Sequence, residues 1–346
     1  MNAAFFPLDE QLGIRDPHTS EAVSKLVVWL SGLLPFEQVE IVLAKVGQIH
    51  CSRNSAWRRA KHWGEAARQA EAQAQTRASQ VDTRGGIVAG EALQNDRLGA
   101  SLDGFLIHLR EEGWKEVKAG SIFRIELNAT EDQQTHEFLD VGRAVENSYV
   151  AHLGGPEVFG EKLWSEAKRR QWATAVETQV VADGAVWIWN LVADHFYDSV
   201  QIVDWYHAKS HLAHAAQLLY GEATPGMQRW LTVQATHLFQ GQAEGIAQTL
   251  REVARQQKAQ ESELLTEAGY FETHKRRMEY LDRRMEGWIL GSGMVESAAK
   301  QYQARFKGPG MRWSRSGAER LLPVRTAILS HRFDEIWQRI YNPPLN

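Results

Sequence analysis

The chain has 346 residues, of which 43% are apolar and 24% charged, and its formal net charge is −4. This length favours two or three structural units, since single hydrophobic cores rarely grow beyond about 250 residues. No apolar run approaches the roughly 18 residues that span a bilayer, and the N-terminus lacks the pattern of a secretory signal. The single cysteine, Cys51, excludes an internal disulfide and a Cys-based zinc cage. We therefore expect a cytoplasmic protein without a membrane partner.

Residues 1–80 are predicted to form a helical domain. Apolar residues follow helical spacing at Leu26, Val27, Leu30, Leu33 and Leu34, and after Pro35 at Val39, Ile41, Val42 and Val46. The second helix should end near Gly47, and a new short helix should begin at Ser52 or Asn54. A helix, a glycine-containing turn and an Arg-rich second helix are typical of a helix-turn-helix, whose second helix enters the major groove of DNA.

Within this second helix, Trp57 and Trp63 are expected on the packing side. Phosphates or base edges would then be contacted by Arg53, Arg58, Arg59 and Lys61. A solvated amphipathic helix in a small bundle is the alternative interpretation. Residues 64–96 read as a linking helix followed by a flexible segment around Gly85 and Gly86, so we place a linker at 81–97.

Residues 98–207 are predicted to form the first part of an α/β core. Strand-like runs occupy 100–109, 114–127 and 148–153, with a hairpin at 110–113, and a helix follows from about 157 to 172. A strand then leads to Asp183, and after another helix a further strand leads to Asp204. Three antiparallel strands followed by helix, strand, helix and strand is the order of the ribonuclease-H-like mixed sheet. In that fold the first strand lies beside the fourth, which makes Asp103 and Asp183 neighbours.

Residues 208–286 contain no strand-like stretch and are predicted to form an all-helical insertion. Residues 287–346 would complete the core, with Glu296 in the early turns of a helix that opens near Ser292. This last segment is locally basic despite the net acidic chain. From it we predict DNA contacts by Lys300, Arg305, Lys307 and Arg312, and stacking of Trp313 on an unpaired base, with core packing as the alternative for Trp313.

Three carboxylates are candidates for a metal site. Cleavage and joining of phosphodiesters can use two magnesium ions about 4 Å apart, one activating the nucleophile and one stabilising the leaving group. Magnesium prefers carboxylate oxygens, and Asp103, Asp183 and Glu296 would supply them from two strands and a helix. Each residue alone has an ordinary structural explanation. Lys118 on the second strand is either a cation that neutralises phosphate beside the metals or a surface lysine.

Several motifs together resemble those of bacterial insertion-sequence DDE transposases of the ISKra type, related to the Mutator superfamily. The motifs are SLDG at 101–104, EVKAG at 116–120, VADGAVWIW at 181–189, VDWYHA at 203–208, GSGMVES at 291–297 and RFKGPGMRW at 305–313. The resemblance implies a catalytic triad of Asp103, Asp183 and Glu296, and an accessory Asp-x-x-His motif at Asp204 and His207.

The same resemblance implies an enzyme that nicks transposon ends and joins the freed 3′-hydroxyl to target DNA. Its cofactor would be Mg²⁺ as two ions, with Mn²⁺ able to substitute. Its partner would be double-stranded DNA, both transposon ends and target, and it would act as a homodimer or larger homo-oligomer associated with the nucleoid.

Two other functions compete with this one. The residues His207, His211 and His214 share one helix face at a spacing that could hold zinc, which would make the protein a zinc hydrolase. A domesticated DNA-binding protein could keep the helix-turn-helix and the fold without cleaving DNA. All three candidate acids are present, so the sequence shows no sign of such decay.

Overall fold

The computed structural model describes residues 19–80, 96–131 and 138–342. The predicted flexible segment around Gly85 and Gly86, with most of the expected 81–97 linker, lies outside these residues. No helix in the described ranges is long and apolar enough to cross a membrane.

A five-stranded mixed sheet forms the centre of the fold. The strands are β1 (Arg97–Leu109), β2 (Gly113–Glu131), β3 (Phe138–Leu153), β4 (Glu177–Ala182) and β5 (Val200–Val203). Their order is β3-β2-β1-β4-β5. The pairs β1–β2 and β2–β3 are antiparallel, whereas β1–β4 and β4–β5 are parallel. The predicted contact between the first and fourth strands is therefore confirmed.

Thirteen α-helices are described around this sheet. They are α1 (Glu21–Leu33), α2 (Phe36–Gly47), α3 (Arg53–Gln80), α4 (Pro156–Arg169), α5 (Val186–His195), α6 (Trp205–Tyr220), α7 (Pro225–Phe239), α8 (Ala243–Gln256), α9 (Glu261–His274), α10 (Tyr280–Met285), α11 (Gly293–Phe306), α12 (Arg315–Leu329) and α13 (Phe333–Tyr341). Short 3-10 turns lie at Trp172–Thr174 and Lys275–Arg277.

The sheet separates two hydrophobic clusters because side chains alternate between its faces. On β1, Leu98 and Leu102 belong to the cluster that includes α4, α5 and the helices of the insertion. Phe105 and Ile107 belong to the opposite cluster, which includes α3, α11, α12 and α13. Because side chains alternate along β1, Asp103 lies on the same face of the sheet as Phe105.

The insertion is helical throughout, as predicted. Between Trp205 and Met285 the structure contains five α-helices and one 3-10 turn. The helices α8 and α9 each bury one side. Ile246 and Leu250 of α8 and Leu264 and Phe271 of α9 are almost fully buried and belong to the same cluster as β4 and β5. The insertion is thus continuous with the core on that face.

The N-terminal segment differs from the prediction in two respects. A single helix, α3, replaces the expected short helix and its separate continuation. Its buried positions follow an i, i+4, i+7, i+11 stripe at Ala56, Ala60, Trp63 and Ala67. Trp63 therefore packs as expected. Trp57 lies beside this stripe and is 47% exposed, so its predicted place on the packing side was wrong.

The helix α3 also contacts the C-terminal helices closely. Trp63 stacks on Tyr341 with 5.2 Å between ring centroids, in the same cluster as Trp337. At Gly64, an added Cβ would lie 2.4 Å from the backbone oxygen of Arg320 on α12. Glycine costs about 1 kcal/mol relative to alanine inside a helix. Its presence here is explained by the close approach of the two helix backbones.

The substitution Gly64→Ala should destabilise the protein by about 1–3 kcal/mol despite the better helix propensity of alanine, because the carbonyl of Arg320 must move. Gly245→Ala is the matched control, since Gly245 is an exposed helical glycine of α8 with nothing within 4 Å of an added Cβ. It should leave stability unchanged or raise it by up to about 1 kcal/mol. Urea unfolding midpoints measure both. Equal shifts in the two variants would refute the packing explanation.

Candidate functional site

The candidate site lies where β4 and β5 end. Asp183 directly follows β4, and Asp204 directly follows β5. These strands are parallel to β1, and the last β1–β4 pair is Leu102 with Ala182. Asp103 and Asp183 are thus the next residues on two strands that run about 4.8 Å apart. The sequence prediction of neighbouring acids agrees with this register.

The electrostatics of Asp103 show that a third acid is close. The pKa of Asp103 is raised to about 6, and burial is the largest cause. The negative charges of Asp183 and Glu296 also act to raise this pKa, while the Gly104 N–H, which donates to Asp103 Oδ1 at 2.7 Å, and nearby His207 act in the opposite direction. The three predicted acids therefore occupy one electrostatic environment, and all three are half-buried.

Glu296 reaches this environment because α11 lies across β1. Tyr302 of α11 stacks on Phe105 of β1 with 5.4 Å between ring centroids and an interplanar angle of 13°. Val295, next to Glu296, is fully buried in the cluster that contains Phe105. Glu296 itself is half-buried in the first turn of the helix.

Asp204 connects β5 to the beginning of α11. It is 1% exposed, and its Oδ1 accepts the backbone N–H of His207 at 2.7 Å, which caps α6. Its Oδ2 accepts both the backbone N–H and the hydroxyl of Ser292. The same Ser292 Oγ lies 2.8 Å from Glu296 Oε1. Asp204 therefore fixes the position of the α11 N-terminus, and through Ser292 the position of Glu296.

The insertion forms one wall of the site through α9. Tyr270 packs against Gly184, where an added Cβ would lie 2.3 Å from the tyrosine ring. Burial, followed by the charges of Asp183, Asp204 and Glu267, raises the pKa of Tyr270. His211 of α6 stacks on Tyr270 with 3.6 Å between centroids. The wall of the site beside Asp183 is therefore aromatic, and the contacts described above bring no cation to it.

The histidines proposed for zinc have a different environment. Both His211 Nδ1 and His214 Nδ1 hydrogen-bond to Glu267, at 2.7 Å and 2.8 Å. Burial of Glu267 acts to raise its pKa, but the hydrogen bonds from these histidines outweigh burial and lower it. The pairing joins α6 to α9, and it gives the two histidines a structural role.

The chemistry of the acids fits magnesium, although the acids are not in ligand positions. Within residues 19–80, 96–131 and 138–342, no group of three or more His, Cys, Asp and Glu residues is arranged to hold a metal ion. Asp183 Oδ1 instead accepts the Ala185 N–H at 2.8 Å, and Glu296 Oε1 contacts Ser292. Three mutually repelling carboxylates remain a set that a divalent cation would stabilise.

Lys118 fits neither alternative, because it lies away from the acids and is only 5% exposed. In the β1–β2 register Asp103 faces Ala119, and Lys118 faces Gly104, which places Lys118 on the opposite side of the sheet. Its Nζ binds Glu116 Oε2 at 2.6 Å and lies 4.6 Å from the centre of the Trp187 ring. Alternation along β2 explains the difference, because a strand position one residue away changes face.

The predicted DNA-binding residues divide by exposure. Six are exposed cations, namely Arg53, Arg58, Lys61, Lys300, Lys307 and Arg312. Arg59 is half-buried, and its guanidinium hydrogen-bonds to Thr19 and Ser55.

In the C-terminal basic segment, Arg305 differs from the prediction, and Trp313 fits the core-packing alternative. Arg305 is 1% exposed, with Nε donating to the Ser31 carbonyl at 2.8 Å, so it is not a surface DNA contact. It points inward because the buried face of α11 continues through Tyr302, Arg305 and Phe306. Trp313 is half-buried and donates Nε1–H to the Phe306 carbonyl at 2.9 Å. Packing against the core thus explains most of the position of the Trp313 side chain.

Sequence reasoning missed Ser292, Glu267 and Tyr270. Ser292 could have been noticed, because it precedes the helix that carries Glu296 and serine often satisfies groups at helix starts. Nothing in the sequence links Glu267 to histidines more than 50 residues away. Tyr270 is likewise identified only by the packing of α9 on Gly184.

The sequence matches no known family model and no curated protein. Among solved structures, the chain is similar to the Drosophila P element transposase strand transfer complex at 11% identity, with a TM-score of 0.29, over 96% of this chain and 83% of that one. A TM-score of this size shows no common fold, and the function of this chain must be inferred from its own site.

Proposed function

We propose that this protein is a metal-dependent DNA transposase with a ribonuclease-H-like core. The observation that carries the proposal is the position of Asp103 beside Asp183, with Glu296 close enough to raise its pKa. The strand order β3-β2-β1-β4-β5, with a helical segment between β5 and the helix of Glu296, is the arrangement that the motif resemblance implies. Similarity to the ISKra type rests on those motifs alone.

In this proposal, Asp103, Asp183 and Glu296 hold Mg²⁺, or Mn²⁺ in its place. The ions would supply a nucleophile and stabilise the departing 3′-oxygen. The chain itself positions the ligands: the β1–β4 pairing sets two of them, and Ser292 with Asp204 sets the third. His207 follows Asp204 on the same turn and offsets part of the negative charge at Asp103.

DNA would be held by the exposed cations of α3 and of the basic C-terminal segment. Arg53, Arg58 and Lys61 lie on the exposed side of α3, and the turn before it contains Gln48 in a left-handed conformation with φ of 52°. The arrangement of α2, turn and α3 supports a helix-turn-helix that binds transposon ends. A homodimer or larger assembly would bring two such ends together.

Asp183→Asn and Glu296→Gln should abolish Mg²⁺-dependent nicking while leaving DNA binding intact, because each removes a charged metal ligand and no DNA contact. The substrate is a supercoiled plasmid that carries the DNA flanking both sides of the coding sequence. Nicking is measured on agarose gels, and binding by fluorescence anisotropy. Asp198→Asn, at an exposed loop acid, is the control.

Nicking retained in either variant would refute the triad. A different result would be that the wild type binds the flanking DNA and never nicks it, in Mg²⁺ or Mn²⁺. That result would support the alternative function, a DNA-binding protein without cleavage activity.

Asp103→Asn should stabilise the metal-free protein at pH 8 by about 2–3 kcal/mol. The pKa of Asp103 rises from 3.8 to about 6 on folding, so its protonation favours the folded state. That stabilisation is complete below pH 3.8 and is lost as the pH rises through 6. The extra stability of Asp103→Asn over the wild type should therefore vanish near pH 4. Thermal melts across this range measure it.

Addition of MgCl₂ at pH 8 should raise the melting temperature of the wild type and leave Asp103→Asn nearly unchanged. Asp198→Asn should respond to both pH and magnesium as the wild type does. If the extra stability of Asp103→Asn did not depend on pH, burial of the Asp103 carboxylate in the metal-free protein would not be its cause.

Arg58→Ala should weaken binding to end DNA and reduce the slope of log K against log salt by about 0.9, since one phosphate contact releases about that many counterions. Arg255→Ala, at an exposed position of α8, is the matched control and should change neither quantity. Anisotropy titrations between roughly 50 and 200 mM salt give both values. Unchanged binding in Arg58→Ala would leave α3 as a solvated helix.

A further inference from the structure

A second candidate site lies at the other end of α11 from Glu296. It is a cavity of about 370 Å³ between α2, α3, the 310–314 loop and α12. Five of its lining residues are cations, Lys61, Arg110, Arg305, Arg312 and Arg320, and none of its lining residues is acidic. A cavity of this charge and size suits a small anionic ligand.

Arg305 is the residue that most requires a ligand. It is 1% exposed, and Nε donates to the Ser31 carbonyl, but Nη2 has no hydrogen-bond partner in the described part of the chain. Its guanidinium carbon lies 5.0 Å from the Trp313 ring centre and 5.3 Å from that of Phe36. Burial, followed by nearby Arg325, lowers the pKa of Arg305 to about 10, so it stays charged at neutral pH.

A buried cation without an acidic partner is costly, and natural proteins usually pair it. Arg305 is bounded by a carbonyl and two aromatic rings, so these contacts offer it no negative charge. An unpaired buried guanidinium beside a cavity of this size favours a phosphate-sized negative group.

The cavity also offers an exposed aromatic surface. Trp57 lines it and is 47% exposed, with Lys61 Nζ 5.3 Å from the centre of its ring. A tryptophan that is held on a helix and open to solvent can stack on a planar base. Phosphate-binding cations and a base-stacking ring in one cavity match the two parts of a nucleotide.

We propose that this cavity binds a nucleotide, with its phosphate at Arg305 and Arg312 and its base on Trp57. The nucleotide is either free in solution or an unpaired residue of a DNA strand. The inference goes beyond the proposed cleavage function, because no residue of the cavity belongs to the carboxylate site.

The test uses the full-length protein with dAMP as the probe, followed by isothermal titration calorimetry and tryptophan fluorescence. Measurements are made on the Asp103→Asn background without divalent cation, so that loss of cleavage cannot affect them. On this background, the protein with an unchanged cavity should bind dAMP saturably, and its tryptophan fluorescence should be quenched. Deoxyadenosine, which lacks the phosphate, and inorganic phosphate, which lacks the base, should each bind at least about tenfold more weakly.

Two exposed residues of the cavity provide variants that should fold. Trp57→Ala and Arg312→Ala should each weaken dAMP binding at least about tenfold, consistent with the loss of a stacking surface or a charged hydrogen bond. Trp114→Ala is the matched control. Trp114 is 54% exposed and has Lys307 5.4 Å from its ring centre, but it lies outside the cavity. Its removal should leave dAMP affinity unchanged.

Arg305→Met tests the buried cation directly. An apolar side chain of similar length should keep or increase the melting temperature, because an unpaired buried charge is removed, while dAMP binding is lost. If Arg305→Met melts lower than the wild type, the exposed-residue variants still decide the proposal.

Competition identifies the source of the nucleotide. A duplex with one unpaired nucleotide that displaces dAMP, where the fully paired duplex does not, assigns the cavity to DNA strands. Displacement by neither duplex assigns it to free nucleotides. Absence of dAMP binding, or binding that Trp57→Ala and Arg312→Ala leave unchanged, would overturn the proposal while leaving the carboxylate site untested by this result and still open to the nicking assay.

Discussion

The parallel pairing of β1 with β4 is the interaction on which the candidate site depends. Because Leu102 pairs with Ala182, the next residue on each strand is an aspartate, and the two aspartates lie side by side. No local preference would place two acids together in a partly buried position. The cost is offset by the apolar contacts on both faces of the same strands, which hold the register.

The acids are also kept in place by groups that take no part in holding a metal. Asp204 caps α6 and binds Ser292, and α9 packs on Gly184. The carboxylates of Asp183 and Glu296 are directed to Ala185 and Ser292 within the chain. Binding of the proposed cation would require only small side-chain movements, because the backbone of each acid is already fixed by a strand or helix.

Sequence reasoning succeeded where a local pattern determines the structure. Strand ends after apolar runs correctly located Asp183 and Asp204, and the element order correctly put β1 beside β4. It failed where the face that one residue occupies decides its role. Trp57 lies beside the buried stripe of its helix and not in it, and Lys118 is buried on the face of the sheet opposite to Asp103. Arg305 shows a third limit, since composition treats a cation as exposed and only packing reveals a buried one.

The helix α11 joins the two candidate sites into one rigid element. Glu296 lies in its first turn and Arg305 in its last, nine residues apart, which corresponds to roughly 14 Å along a helix axis. At about 3.4 Å per nucleotide, this length equals about four steps of a DNA strand. If one strand contacts both ends, α11 acts as a ruler that sets how far from the cut a nucleotide is held.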